Sequence, residues 1–114
     1  MKYALLIYPK DARAEYDALS ADDQQAIMDE YIAIGRSPGL YGAEQLQPAE
    51  TATTVRVEES RTLITDGPFA DTKEILGGFY LLEAASLDAA IEIAARVPAA
   101  RMGGAIEVRP LVER

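Results

Sequence analysis

Short apolar runs and alternating stretches indicate where this chain forms strands. The runs at 3–8 and 79–82 are apolar on both faces, which is typical of buried strands. Residues 53–57 and 62–65 are rich in β-branched side chains and flank a polar turn, so they predict a β-hairpin. Residues 105–109 alternate between apolar and charged side chains, and we expect a strand there as well.

Two apolar stripes at helical spacing lie between the predicted strands. Ser20 begins a capping pattern, and apolar side chains then recur three or four residues apart as far as Gly35. Ser86 caps the second stripe, and Pro98 ends it because proline cannot continue a helix. A weaker strand at 40–46 follows the first helix.

The predicted order is therefore strand, helix, strand, hairpin, strand, helix, strand. Without the hairpin this is the βαββαβ order of a ferredoxin-like α+β fold, in which two helices cover one face of an antiparallel sheet. The chain has 114 residues, which fits a single domain over 1–114.

The face of the predicted sheet that the two helices leave uncovered must pack against something else. The strands at 3–8 and 79–82 are apolar on both faces, whereas two helices cover only one. A second copy of the chain can cover this face, because a two-fold dimer uses the same patch on both chains. We therefore predict a homodimer that forms an α+β barrel. The alternative is a monomer that leaves some apolar side chains in water.

The composition limits which catalytic groups, metal ligands and partners the chain can have. The chain has neither cysteine nor histidine, which excludes thiolate ligands and the usual acid/base group at neutral pH, and we expect no metal and no cofactor. Its formal net charge of −8 disfavours nucleic acid and anionic membranes as partners. The apolar start is too short to span a membrane and resembles no signal peptide, so we expect a cytoplasmic protein.

The most distinctive motif is Asp66-Gly67-Pro68-Phe69, directly after the second hairpin strand. In a structural role, Asp66 accepts hydrogen bonds from backbone N–H groups of a turn, and Phe69 anchors the loop in the core. In a functional role, Asp66 is a base or a ligand contact at the mouth of a pocket. Residue type alone leaves both roles open.

Other candidate residues flank this motif or lie on strands. Lys73 either stays in solvent or neutralises Asp66 and binds an anion. Glu107 and Arg109 share one face of the last strand, where Arg109 pairs with a carboxylate or with an anionic ligand. Tyr8 lines a pocket or packs in the core. The predicted ligand-binding set is Asp66, Phe69, Lys73, Arg109 and Tyr8.

Two further positions have weaker patterns. The glycine pair Gly77-Gly78 indicates a bulge or a close approach of backbone or ligand at the start of a strand. Arg101 is expected in a loop after Pro98, as a possible anion contact.

Several collinear motifs resemble the DGPF-domain proteins, a branch of the YCII-related family. They cover nearly the whole chain: Lys2–Tyr8, Gln45–Pro48, Thr51–Arg56, Asp66–Phe69 and Glu107–Pro110. The resemblance implies a ferredoxin-like topology and dimers that pair sheet to sheet as α+β barrels. One local departure is the segment 34–41, which is shortened and carries an extra Pro-Gly.

The resemblance says less about activity. Better-studied YCII-like proteins are thought to use a His–Asp pair, and one is a dehydrochlorinase, but this chain has no histidine and has Val97-Pro98-Ala99 where the aspartate is expected. We therefore expect a protein that binds a small molecule in a dimeric barrel pocket. One alternative is a lyase- or isomerase-like enzyme with Asp66 as base. The other is a regulatory interaction module without a ligand.

Overall fold

The computed structural model describes residues 1–10, 16–69 and 75–114. The strands are β1 (Lys2–Tyr8), β2 (Leu40–Gln45), β3 (Thr53–Glu58), β4 (Arg61–Asp66), β5 (Gly78–Glu83) and β6 (Ala105–Pro110). The helices are α1 (Ala21–Gly35), α2 (Leu87–Arg96) and the short α3 (Pro98–Arg101), and a 3-10 turn lies at Ala49–Thr51.

Four strands form the main sheet in the order β2-β5-β1-β6, and every neighbouring pair is antiparallel. Leu5 of β1 lies between Tyr80 of β5 and Val108 of β6. Strands β3 and β4 form a separate hairpin. The antiparallel α+β architecture predicted from the sequence is confirmed, and the strand order is compatible with a ferredoxin-like fold.

Serine side chains begin both longer helices, as predicted. The Asp23 N–H donates to Ser20 Oγ at 3.1 Å, and the Ala89 N–H donates to Ser86 Oγ at 3.2 Å. Each serine thus satisfies one backbone donor that the first turn leaves without a helical partner.

The expected loop after Pro98 is wrong, because Pro98 begins the short helix α3 and Arg101 lies on it. Proline is well tolerated at the first position of a helix, where its missing N–H would have no helical partner. The proline therefore ends one helix and begins the next.

The core lies between the helices and one face of the main sheet. Tyr3, Leu5, Leu82 and Val97 are fully buried there. The Tyr80 hydroxyl donates to the Tyr31 carbonyl of α1 at 2.8 Å, which joins sheet to helix with a polar contact. Burial of the Tyr80 ring raises its pKa to about 12.

The opposite face of the sheet, here called the open face, has an apolar centre with charged residues beside it. Leu6 lies between Phe79 and Glu107, and Ala4 lies between Leu81 and Arg109. Ile106 and Val108 pack on the core instead. Glu107 and Arg109 therefore share one face of β6, as predicted, and that face is the open face.

The hairpin, here called the arm (residues 53–66), turns at Glu59 and Ser60. Both residues have positive φ, 49° and 65°, which is the geometry of a type I′ turn. All its strand residues are exposed except Thr54, which is half-buried. The arm therefore adds surface without adding to the core.

The chain is broad and flat. Its extents are 46 × 42 × 19 Å and its radius of gyration is 16.0 Å, against about 13 Å for a compact domain of this length. Its accessible surface is 8193 Å², whereas a compact monomer of this mass exposes about 6,100 Å². Of the helices in the described ranges, none is long and apolar enough to cross a bilayer.

Candidate functional site

A groove of about 860 Å³ lies at one end of the open face, beside the base of the arm. Its polar lining includes Tyr8 of β1 together with Glu107 and Arg109 of β6. Its apolar lining comes mainly from the connections on either side of the arm: Leu46, Pro48, Pro68, Ile75 and Leu76. The volume lies within the range of small-molecule sites, which combine an apolar wall with a few polar groups.

Backbone hydrogen bonds fix the groove walls to the sheet. The Gly77 N–H donates to the Ile7 carbonyl at 2.8 Å, and the Leu46 N–H donates to the Gly77 carbonyl at 2.9 Å. The neighbouring Gly78 lies so close to β2 that a Cβ there would be 2.8 Å from the Glu44 carbonyl oxygen. The sequence predicted either a bulge or a close approach at Gly77-Gly78, and the structure shows a close approach of the backbone. This approach joins the segment around Leu46 to the segment around Gly77.

An ion pair lies at the groove on β6. Arg109 Nη2 donates to Glu107 Oε1 at 2.7 Å, and this bond holds the pKa of Arg109 above its ordinary value. Tyr8 lies close enough to add a smaller electrostatic contribution to the same shift. Two of the five predicted residues, Tyr8 and Arg109, are thus brought together in one groove.

Asp66 and Phe69 lie at the base of the arm, outside the groove lining. Asp66 is exposed and pairs across the hairpin with Thr53. The prediction that Phe69 anchors its loop in the core is wrong: its side chain is 74% exposed, and the Arg56 guanidinium lies 5.6 Å from the centre of its ring. Lys73, the fifth predicted residue, lies outside the described residues.

The turn after Asp66 is held by backbone groups. Gly67 has φ of 97°, a conformation that favours glycine, and its N–H donates to the Ala52 carbonyl at 2.7 Å. The Thr54 hydroxyl donates to the Gly67 carbonyl at 2.7 Å. These bonds fix the arm to the edge of the groove, because Ala52 and Pro68 both line it.

Comparison with known families identifies the chain. The YCII-related domain matches residues 1–114. The chain belongs to the YCII-related family. It is also similar to an uncharacterised protein of Rhizobium meliloti (strain 1021), with 38% identity over 117 residues that cover 97% of this chain and 92% of that protein.

A second charged pair of this YCII-related protein lies on the helical side. Arg101 of α3 binds both carboxylate oxygens of Glu30 of α1, at 2.8 and 2.7 Å. This bidentate contact raises the pKa of Arg101 and holds α3 against α1. The guanidinium that the sequence marked as a possible anion contact is therefore engaged within the chain.

The apolar groove residues were not predicted from the sequence. Leu46 ends the strand predicted at 40–46, Ile75 and Leu76 precede the glycine pair, and nothing local shows that these segments meet. Their one signal is apolar character beside turns. Within residues 1–10, 16–69 and 75–114, no group of three acidic side chains is placed to hold a metal ion.

Proposed function

We propose that this YCII-related protein is a homodimer that binds a small organic molecule in the groove beside Tyr8 and Arg109. The observation that carries the proposal is the Arg109–Glu107 pair in a groove whose lining is mainly apolar. A guanidinium has five N–H donors in a planar fork, and the bond to Glu107 uses one of them. The remaining donors suit a carboxylate or another planar oxygen group.

The apolar wall defines the rest of the ligand. Leu46, Ile75 and Leu76 surround a space of about 860 Å³ that opens towards solvent. A ligand with a short hydrocarbon or aromatic body buries that body against this wall, while its acidic group reaches Arg109. Small organic acids are therefore the class to test first.

The open face and the large surface of the chain support a homodimer. The chain exposes roughly 2,000 Å² more than a compact monomer of its mass. A typical stable interface buries about 800 Å² on each partner, so the excess is sufficient. Leu6, Phe79 and Leu81, which are half-buried within the chain, form an apolar centre around the buried Ala4, and a second copy would cover it with the same patch.

Binding is better supported than catalysis. The chain has no histidine, so it has no side chain that ordinarily titrates near neutral pH. Asp66, the candidate base of a lyase- or isomerase-like enzyme, does not line the groove of its own protomer. An enzyme with Asp66 as base would need a ligand that reaches beyond the groove.

The proposal is tested by a thermal-shift screen of small organic acids against the full-length protein. Compounds that bind the folded state raise Tm as their concentration increases. Replacing Arg109 with Gln should remove the Tm shift caused by carboxylates, because the charged guanidinium that binds them is lost. Arg101→Gln is the matched control, since it breaks a similar ion pair on the helical side and should leave the shift unchanged. Equal shifts in wild type and Arg109→Gln would contradict the proposal.

A further inference from the structure

The arm carries an exposed apolar patch on one face. Val55, Val57 and Ile64 are 60%, 67% and 68% exposed. Val55 is paired directly with Ile64, so these two lie on the same face of the hairpin, and Val57 follows two residues along. The opposite face carries Thr54, Arg56, Thr65 and one apolar residue, Leu63, which is less exposed at 39%. We call the three apolar residues the arm patch.

The arm receives little support from its own chain. Its strands pair with each other, and backbone bonds at Ala52 and Gly67 fix only its base. An isolated two-stranded hairpin is marginally stable in water, and three or more strands or a packed surface are needed for independent stability. A covering surface for the arm patch would supply that packing.

The position of the arm suggests what covers it. The arm leaves the body at Ala52 and Pro68, which line the groove, and six residues per strand extend it by about 20 Å. In a two-fold dimer that packs on the open face, an arm of this length starting beside one groove can extend onto the other protomer, and the same contact occurs twice.

The groove offers the matching surface. Its lip residues Leu46 and Ile75 are uncharged, apolar and exposed. The arm patch is likewise uncharged, so two chains of net charge −8 can meet there without opposing like charges directly. The surplus of roughly 2,000 Å² per chain is large enough to include both the open face and the arm in one interface.

From these observations we infer that the arm of each protomer lies across the groove of its partner, so that the arm patch covers the side of the ligand site that is open to solvent in the single chain. This inference rests on the proposed function, because it completes the groove in which the ligand is proposed to bind. The partner is a second copy of this chain. Each site then contains Arg109 from one protomer and Val57 from the other.

Cysteine cross-linking tests the inference directly, because the chain contains no cysteine of its own. Chains carrying Leu46→Cys at the groove lip and chains carrying Val57→Cys on the arm patch receive different tags and are co-expressed. Oxidation should link the two chains at least about tenfold faster than random collision, since docked thiols have millimolar effective concentrations. Thr65→Cys, on the opposite face of the arm, is the matched control and should link at the collision rate.

Three results would overturn the inference. One is equal rates for Val57→Cys and Thr65→Cys, and another is a monomeric wild-type protein. The third is a disulfide within one chain of the Leu46→Cys/Val57→Cys double variant, which would show that the arm covers its own groove. Far-ultraviolet circular dichroism confirms that each variant folds. The cross-link forms without a ligand, so the two proposals can fail separately. Ligand binding without a cross-link would reject only the position of the arm on the partner's groove. A cross-link without any thermal shift would reject only ligand binding.

Discussion

The helix-covered face of the main sheet and the arm are built from the same kinds of residue but differ in burial. Tyr3, Leu5 and Leu82 have no exposure to solvent, whereas Val57 and Ile64 on the arm are about two-thirds exposed. Local preference for β-structure is satisfied in both regions, so it does not decide burial. The covered face obtains its packing from the helices of its own chain, while the arm has its apolar side chains available for another molecule.

The largest difference between the two regions should appear on truncation of a buried leucine. Leu82→Ala leaves a cavity under the helices and should lower the free energy of unfolding by about 2–5 kcal/mol. Val57→Ala should cost less than about 1 kcal/mol at concentrations where the protein is monomeric. Urea unfolding followed by circular dichroism measures both. Similar losses at high dilution would show that the arm is packed within its own chain.

The core should also show a step in stability at alkaline pH. Tyr80 has a pKa of about 12 in the folded protein, raised by burial from 10.0. Below pH 10 the Tyr80 hydroxyl keeps its proton in both the folded and the unfolded protein, so its contribution to stability is fully present. Between pH 10 and 12 the unfolded chain loses its proton first, so the free energy of unfolding should fall by no more than about 2–3 kcal/mol.

The control for this step is Tyr80→Phe, which removes the hydroxyl and its bond to the Tyr31 carbonyl. The variant should be less stable by about 1 kcal/mol at neutral pH. Its stability should fall less between pH 10 and 12, with the remainder due to Tyr31, whose pKa burial also raises. An unchanged alkaline step in Tyr80→Phe would assign the effect to other groups.

A charge on the arm patch should weaken association rather than folding. Val57→Asp buries a carboxylate in the proposed interface, so the dimer dissociation constant should rise at least about tenfold, equivalent to 1.4 kcal/mol. Thr65→Asp adds the same charge to the other face of the arm and should change the dimer dissociation constant far less. Sedimentation velocity over a dilution series measures both constants. Equal weakening by the two substitutions would mean that net charge, not the patch, controls association.

The smallest expected effect concerns the turn of the arm. Glu59 and Ser60 adopt positive φ without being glycine or asparagine. The double variant Glu59→Asn/Ser60→Gly provides the preferred type I′ pair and should stabilise the arm by about 1 kcal/mol or less. Hydrogen exchange of the β3 and β4 amides should slow, while the β1 amides should not change. Slower exchange in β1 would indicate that the arm and the core unfold together.

The sequence predicted the order of strands and helices because periodicity and capping are local properties. Ser20 and Ser86 cap the helices as expected, and the charged residues of β6 lie on the open face. The structural role considered for the motif placed Phe69 in the core, yet its side chain lies exposed beside Arg56, because the burial of a loop residue depends on distant segments.

The candidate site was less predictable than the fold. Arg109 belongs to a strand in which apolar and charged residues alternate, so the face it shares with Glu107 could be predicted. Tyr8 belongs to a strand that is apolar on both faces, so its side of the sheet could not be predicted. The apolar wall forms only because segments around Leu46 and Gly77 are joined by a long-range backbone bond. No local pattern encodes that contact, and none encodes the proposed contact between the arm and a partner's groove.

The central claim is that a second copy covers the arm patch and the open face, and its most direct test is the mass of the protein in solution. Sedimentation equilibrium at about 100 µM, well above a micromolar dissociation constant, should give twice the mass of the 12.3 kDa chain. The Val57→Asp variant should shift towards the single-chain mass on dilution before wild type does. A wild-type mass of 12.3 kDa at that concentration would contradict the account.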